Sequence, residues 1–392
     1  MRAPEPSRGV LDEVVETRRH LHAHPEVGFE EHQTTALIRE RLASSGATVA
    51  ECPTPTGAIG VLDGGRPGKT VMLRADIDAL PIVEESGVNF ESTVDGRMHA
   101  CGHDGHTAIM LGVARALAER AEDLPGRYVF LFQPAEEIIS GAREMIARGV
   151  LEQHPADACI GLHLASWFES GSVMTRPGLL WAGCDAFELT ISGPGGHGGM
   201  MGSRGNVISA EAFLLERLHT IVEGLMAEDT QCHTTVGQVL TDGFFNVVPR
   251  RATLRGTVRT FTPELREEAL DRLRGLMLET DSEFAVKSEL RIAYQTVPTV
   301  NEPNVTGTVQ EAAREVVGER ASLLGRPLTV SDDMAEFLTR IPGCYFMVGA
   351  RPPDSEEPPA HHSPGFRIDE AALETGVRVL LESAVRLAGE SA

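Results

Sequence analysis

Residues 98–108 read MHACGHDGHTA, and the apolar run IMLGVA follows directly at 109–114. The first stretch holds one thiol, three imidazoles, one carboxylate and two glycines, and the apolar run is typical of a helix that enters a core. Polar side chains in front of a buried helix cost free energy unless a partner satisfies them. Because Cys thiolate and neutral His are soft-to-borderline ligands, this stretch predicts part of a divalent-metal site.

Predicted strands alternate with helices from residue 58 to 164, which indicates an α/β domain. Polar residues stand where three of these strands end: RADID at 74–78, QPAEE at 133–137 and LHL at 162–164. Open α/β sheets bind their ligands at the carboxyl ends of their strands. If these ends and the 98–106 loop converge on one sheet edge, the chain supplies five metal ligands: Cys101, His103, Glu137, His163 and His362.

Five N, S and O ligands exceed the four of a tetrahedral structural zinc site. Two divalent ions that share bridging ligands and a water fit the set better, and such pairs activate water for hydrolysis. Glu136, next to the predicted ligand Glu137, is the predicted general base, which takes the proton of the water and passes it to the leaving amine. Zn, Mn, Co and Ni all tolerate this mixture of ligands, so the sequence leaves the metal open.

The composition changes after residue 181, and the pattern of strands and helices at 182–293 predicts an inserted α+β domain. Residues 1–181 and 294–392 then form one discontinuous catalytic domain. The insertion contains GPGGHGG at 193–199, in which His197 stands among glycines that allow a close approach to a ligand. A flexible surface loop is the alternative interpretation of that segment. Asn246, in NVVP at 246–249, is a second polar point at a strand start.

The net charge of −22 over 392 residues argues against binding to nucleic acid or to an anionic membrane, since both need a basic surface. The N-terminal residues lack the apolar core of a signal peptide, and no apolar run reaches membrane-spanning length. Six scattered cysteines without a CxxC pair are typical of a reducing compartment. We therefore expect a cytoplasmic protein.

Six segments resemble a known family: RRHLHAHPE, LRADIDALP, MHACGHDGHTA, FQPAEE, GLH and HHSPGF, in this order and spacing. They are similar to the amidohydrolase branch of the dinuclear metallo-aminoacylase/carboxypeptidase family, and the match covers nearly the whole chain. That branch includes N-acyl-L-amino-acid amidohydrolases, hippurate hydrolases and auxin-conjugate hydrolases. The resemblance implies a mixed-sheet α/β catalytic domain, interrupted by a smaller lid domain through which the protein forms a homodimer or a higher homo-oligomer.

The same resemblance implies roles for individual residues. The five ligands named above and the base Glu136 match the family's motifs, and Asp76 matches a carboxylate that orients a ligand. His197 resembles a histidine that stabilises the oxyanion, often in the partner's site across a dimer, and Asn246 matches a polar residue of the same cleft. His361 stands beside His362 and leaves that ligand assignment open; His362 is favoured because Ser-Pro follows it directly, as in relatives.

The chain departs from the family pattern after His197. Relatives usually continue with small residues, a Pro-His pair and then Asp-Pro, whereas this chain continues with GGMMGSRGNV at 198–207 and lacks the second His. The departure concerns the substrate end of the pocket. Met200 and Met201 are candidates for an apolar pocket wall, with simple packing as the alternative.

Three functions follow from these observations. The leading hypothesis is metal-dependent hydrolysis of the amide bond of small N-acyl amino acids or similar amines, which releases a carboxylic acid and a free amine. The alternative is a dipeptidase or carboxypeptidase that cleaves peptide-like bonds. A metal-dependent binding protein without catalysis is disfavoured because the predicted base Glu136 is present.

Overall fold

The computed structural model describes residues 2–200 and 202–390. The chain divides into two compact units. The first comprises the residues up to Gly178, Val300–Gly325 and those from Asp333 on, and the second comprises Leu179–Thr299 and Arg326–Asp332. The predicted inserted domain, 182–293, lies inside the second unit. The roles of the two units as catalytic and lid domains stay predictions.

The described residues form eighteen strands: β1 (Thr48–Ala50), β2 (Ala58–Asp63), β3 (Arg66–Asp76), β4 (Pro125–Gln133), β5 (Ala158–Glu169), β6 (Val173–Thr175), β7 (Gly178–Trp181), β8 (Gly183–Ser192), β9 (Gly196–His197), β10 (Met226–Ala227), β11 (Thr230–Gln231), β12 (His233–Thr241), β13 (Val247–Val248), β14 (Arg251–Thr260), β15 (Lys287–Thr296), β16 (Thr299–Asn301), β17 (Ala321–Leu323) and β18 (Gly343–Arg351). They also form ten α-helices: α1 (Arg8–Ala23), α2 (His32–Ser45), α3 (His103–Ala118), α4 (Gly141–Ala147), α5 (Val150–Gln153), α6 (Val207–Arg217), α7 (Pro263–Phe284), α8 (Pro303–Val317), α9 (Met334–Leu338) and α10 (Ala371–Gly389). No helix in this part of the chain has the length and apolar character that crossing a membrane requires.

An eight-stranded mixed sheet forms the centre of the first unit, in the order β1-β2-β4-β3-β5-β18-β6-β17. Strands β3, β4, β5 and β18 run parallel, whereas β2 runs antiparallel to β4. Parallel strands that are covered on both faces have continuous apolar sequences, as in YVFLF at 128–132, where every residue is buried. The predicted α/β class with a mixed sheet is confirmed.

The register of the parallel strands aligns the polar residues near their carboxyl ends. Asp76 is opposite Gln133 across β3 and β4, and Arg74 is opposite Gly161 across β3 and β5. Asp76 and His163 each stand two residues beyond that last paired position of β3 and β5. The sheet thus presents residues from three strands at one edge, as the sequence predicts.

Strand β5 is longer than the sequence indicates. The apolar run at 156–161 predicts a strand that ends near residue 163, and this is wrong because β5 continues to Glu169. The extra residues find partners in β18, where Val348 is opposite Leu164 and Arg351 is opposite Glu169. His163 consequently stands inside a strand, with its backbone held by a neighbour.

Helix α3 begins at His103, within the stretch 98–108, and continues into the apolar core. Gly102, before it, has a φ of 96°, in the left-handed region that glycine adopts without the clash of a Cβ atom. Ile109, Met110 and Val113 are fully buried in the main apolar cluster of the unit. A glycine turn on one side and core packing on the other therefore determine where α3 starts.

The second unit contains a four-stranded antiparallel sheet in the order β12-β14-β8-β15. Burial alternates along β8, so that Phe187, Leu189 and Ile191 share the face that packs against α6 and α7. Strand β12 stands at the edge of this sheet and exposes Val239 and Leu240 to solvent. The unit is α+β in class.

Candidate metal centre

The first unit brings together the five side chains that the sequence predicts as ligands. Cys101 Sγ lies 3.5 Å from His163 Nε2, and His103 Nε2 lies 3.8 Å from Glu137 Oε1. His362 Nε2 lies 3.3 Å from the other oxygen of Glu137. Three overlapping groups of metal-ligand atoms link these residues, each group with all of its atoms within 4.8 Å of one another. The cluster can hold more than one cation.

Two of the histidines are oriented by backbone carbonyl groups. His103 Nδ1 is 2.9 Å from the carbonyl oxygen of Asp78, and His163 Nδ1 is 2.8 Å from that of Leu164. A carbonyl oxygen only accepts hydrogen bonds, so each Nδ1 carries the hydrogen and each Nε2 is left to face the cluster. His103 Nε2 is buried and finds no hydrogen-bond partner among the described residues. This arrangement fits histidines that bind a metal through Nε2.

Burial and neighbouring charges shift the pKa values of three side chains in the cluster. Burial, together with the nearby Glu137 carboxylate, raises the pKa of the Cys101 thiol well above its usual value. Burial by itself lowers the pKa of His103, but the contacts with Asp76, Cys101 and Asp78 together raise that pKa well above its usual range. Burial and the His106 ring lower the pKa of His163 well below its usual value, so that ring is neutral. A divalent cation satisfies such a set of groups, because it stabilises a thiolate and carboxylates and binds neutral imidazole.

The predicted base Glu136 lies beside this cluster, with its Oε2 4.0 Å from His103 Nε2. Its turn is held by two carboxylates from other parts of the chain. Asp78 Oδ1 accepts the backbone N–H of Glu136 at 3.1 Å and Oδ2 accepts that of Glu137 at 3.0 Å. Glu31 Oε1 accepts the N–H of Ala135 at 2.9 Å. Three consecutive backbone N–H groups are therefore bonded to buried acids.

The sequence pointed to Asp78 only as a carboxylate beside Asp76 at a strand end, and it gave Glu31 no role at all. Asp78 has one visible signal, since it stands two residues after Asp76 and shares its face of an extended segment. Glu31 has no signal of its own, because it acts on a backbone N–H more than a hundred residues away. Burial raises the pKa of Glu31 to about 7. Ala135, which Glu31 contacts, has a φ of 56°, so this turn adopts a left-handed conformation that a non-glycine residue disfavours.

Asp76 is hydrogen-bonded to a histidine and an arginine. Its Oδ1 accepts a hydrogen bond from His106 Nδ1 at 2.6 Å, and its Oδ2 accepts one from Arg74 at 2.8 Å. Its Oδ2 is 3.8 Å from His103 Nε2. The carbonyl group that orients the His103 ring belongs to Asp78 instead. The role of Asp76 as an orienting carboxylate stays a prediction.

The adjacent histidines His361 and His362 contact different groups. His361 Nδ1 is 3.6 Å from Cys101 Sγ, and His361 Nε2 accepts the backbone N–H of Ser166 at 3.2 Å. His362 has a φ of 60°, and its Nε2 is grouped with Cys101 and Glu137 as a possible ligand. The geometry favours His362 as the ligand.

His197 and Asn246 belong to the second unit. They lie side by side because β9 pairs with β13 and Gly198 N–H donates to the Asn246 carbonyl at 3.0 Å. His197 is exposed, and its Nδ1 accepts the N–H of Gly199 at 3.1 Å. Met200 is 86% exposed and Met201 lies outside the described residues, so neither supports the predicted apolar pocket wall.

An α/β sheet that gathers a thiol, imidazoles and paired glutamates at its carboxyl edge has the architecture of a metal-dependent hydrolase. The sequence model of the family described as "Peptidase family M20/M25/M40" matches residues 72–386. The chain belongs to this family. The predicted family resemblance is thereby confirmed, and the chain is a metal-dependent amidohydrolase.

Three proteins of known sequence or structure illustrate this similarity. N-acetyl-L-cysteine deacetylase of Bacillus subtilis is 35% identical over 375 residues, which cover 96% of this chain and 88% of the relative. Thermostable carboxypeptidase 2 of Saccharolobus solfataricus is 34% identical over 380 residues, covering 94% of this chain and 93% of the relative. The solved structure of the Bacillus subtilis YXEP protein, a dinuclear metal-binding peptidase from the M20 family, superposes with a TM-score of 0.79 at 30% identity and covers 97% of this chain and 99% of its own.

Proposed function

We propose that this enzyme removes the acyl group from small N-acyl amino acids by hydrolysing their amide bond. The observation that carries the proposal is the convergence of the five predicted ligand side chains, Glu137 among them, beside the buried Glu136. Glu136 is the proposed base. The similarity to an N-acetyl-L-cysteine deacetylase supports this class of substrate.

In this proposal two divalent ions, of Zn, Mn, Co or Ni, are held by the five predicted ligands: Cys101, His103, Glu137, His163 and His362. When bound, the ions polarise the substrate carbonyl group and make water a better nucleophile at neutral pH. The Glu136 carboxylate accepts a proton from the attacking water and later gives it to the amine nitrogen as the C–N bond breaks. Asp78 and Glu31 hold the turn of Glu136 so that its carboxylate keeps its place.

A panel of substrates tests the proposed activity. Purified protein, loaded in turn with each of the four metals, is assayed with N-acetyl, N-benzoyl and longer N-acyl amino acids, and with free dipeptides and longer peptides. We expect release of free amino acid from the N-acyl compounds. Preferential cleavage of peptides would support the carboxypeptidase reading, which the similarity to thermostable carboxypeptidase 2 favours. Inactivity on every substrate would support a binding protein.

The second unit is the proposed lid and dimer interface, and His197 and Asn246 are its proposed substrate-binding residues. Strand β12 is an unpaired edge of its sheet, and Phe244 and Phe245 nearby are 70% and 89% exposed. Exposed edges and aromatic residues of this kind favour association with a second copy. The six free thiols of the described chain support a reducing compartment such as the cytoplasm.

Complementation tests whether His197 acts across a dimer. Two inactive variants, His197→Ala and Glu136→Gln, are mixed under conditions that allow subunits to exchange. We expect activity to return, because one mixed site then contains both an intact glutamate and an intact histidine. Sedimentation of the wild type as a monomer, or a mixture that stays inactive after exchange is demonstrated, would contradict this assignment.

A further inference from the structure

Two aromatic rings and contacts at both ring nitrogens surround His361. The rings of Trp167 and Phe366 each have their centroids 4.5 Å from that of His361. The hydroxyl of Ser166 donates to the carbonyl of Pro359 at 2.6 Å, which ties the backbone of β5 to the segment that leads to His361. The ring therefore has little freedom to rotate.

The hydrogen bond from Ser166 determines which nitrogen of His361 carries the hydrogen. A backbone N–H can only donate, so Nε2, at 3.2 Å from it, must offer a lone pair. A ring with a lone pair on Nε2 is the neutral tautomer with its hydrogen on Nδ1. That hydrogen faces Cys101, because Nδ1 and Sγ are 3.6 Å apart, a distance suited to an N–H···S hydrogen bond.

This tautomer also separates the two adjacent histidines by function. Neither nitrogen of His361 has a lone pair available for a metal, since one accepts from Ser166 and the other bears a hydrogen. His362, by contrast, directs Nε2 towards Glu137 at 3.3 Å. His362 thus has the geometry of a metal ligand, whereas the adjacent His361 has the geometry of a hydrogen-bond donor.

We infer that His361 is a positioning residue that donates its Nδ1–H to the Cys101 sulfur. The bond holds the sulfur in place and withdraws electron density from a thiolate that binds metal, as hydrogen bonds to ligating sulfur do in other metal sites. The inference rests on the proposed ligand role of Cys101 and is independent of the substrate. Loss of such a supporting contact typically weakens metal binding by about 10- to 100-fold.

Cobalt-loaded protein provides a direct test, because a thiolate bound to Co²⁺ gives a near-ultraviolet charge-transfer band that reports on the sulfur. Three variants are compared with the wild type. In His361→Asn the side-chain amide places an N–H near the position of Nδ1, whereas in His361→Gln it reaches the position of Nε2. His361→Leu has no donor. Circular dichroism confirms that each variant is folded.

We expect the band to move to longer wavelength in His361→Leu and His361→Gln, with cobalt affinity lowered by about 10- to 100-fold, and to stay close to the wild-type position in His361→Asn. An unchanged band in all three variants would overturn the inference. Loss of one equivalent of cobalt in every variant would overturn it in favour of His361 as a ligand. Cys101→Ser serves as the reference: a wild-type band that survives this change would refute the ligand role of Cys101 itself, whatever the activity on N-acyl amino acids.

Discussion

Replacement of Asp78 by asparagine should loosen the turn that carries Glu136. The two oxygens of Asp78 each accept one backbone N–H, from Glu136 and Glu137, at 3.1 and 3.0 Å. Asparagine keeps one oxygen and presents an NH2 group in place of the other, which cannot accept a hydrogen bond. One N–H of the turn then loses its acceptor and the other keeps only a neutral one.

The magnitude follows from these two bonds. A hydrogen bond to a charged group contributes about 1.5–3 kcal/mol and a neutral one about 1 kcal/mol. Losing one charge-assisted bond and weakening the second should lower the free energy of unfolding by about 2–5 kcal/mol. Because a displacement of about 1 Å at a catalytic group can cost about 100-fold in rate, we expect a fall of that order in kcat.

Urea unfolding of the metal-free protein gives the stability change, and steady-state kinetics with measured metal content give the rate. Asp63→Asn is the matched control, since Asp63 is an exposed carboxylate at the end of β2. Its stability should stay within about 0.5 kcal/mol of the wild type, as is usual for exposed sites. If Asp78→Asn also stays within that range and keeps its kcat, the two hydrogen bonds do not support the turn as we argue.

Three further results are expected. Glu136→Gln should abolish turnover while metal content stays near the wild-type level, and loss of metal would mean that Glu136 rather than Glu137 is the ligand. Cys101→Ser should weaken metal binding and remove sensitivity to thiol reagents, with an unaltered metal stoichiometry as the contrary result. Glu31→Gln should remove a pH dependence of stability. The pKa of Glu31 is near 4.5 in the unfolded chain and about 7 in the folded protein, so the folded wild type holds one more proton than the unfolded chain between these pH values. The wild type should therefore lose about 3 kcal/mol of its free energy of unfolding as the pH rises through this range. Urea unfolding at pH 5 and pH 8 checks this, and a wild type that is equally stable at both would contradict it.

Much of the site was predictable because the types of the candidate ligands and their positions next to apolar segments are visible in the local sequence. Cys101 and His103 stand out by their types and by the apolar helix behind them, and the glutamate pair follows a buried strand. Residues of this kind are costly to bury without a metal or a partner, so their position before core elements carries information. Once neighbouring strands pair in parallel, the residues at their carboxyl ends lie at the same edge of the sheet.

The contacts by which Asp78 and Glu31 support the site were hidden from this reasoning for a physical reason. Asp78 and Glu31 act on backbone N–H groups, which every non-proline residue possesses, so no side-chain pattern marks their partners. The end of β5 was misplaced for a similar reason, since pairing with β18, far along the chain, extends it to Glu169.

The sequence by itself gave the α/β class and the side chains expected at the sheet edge, because residue type and strand periodicity are local properties, and its motifs gave the family and the mixed sheet through resemblance. For the adjacent His361 and His362, the sequence offered only the Ser-Pro that follows His362, and the tertiary structure supplied the different contacts of the two rings. The two are neighbours of identical chemistry, and their difference arises from the partners of their nitrogens, Ser166 and Cys101 for one and Glu137 for the other. Hydrogen-bond partners that are distant along the chain decide a tautomer, and those partners meet only when the chain has folded.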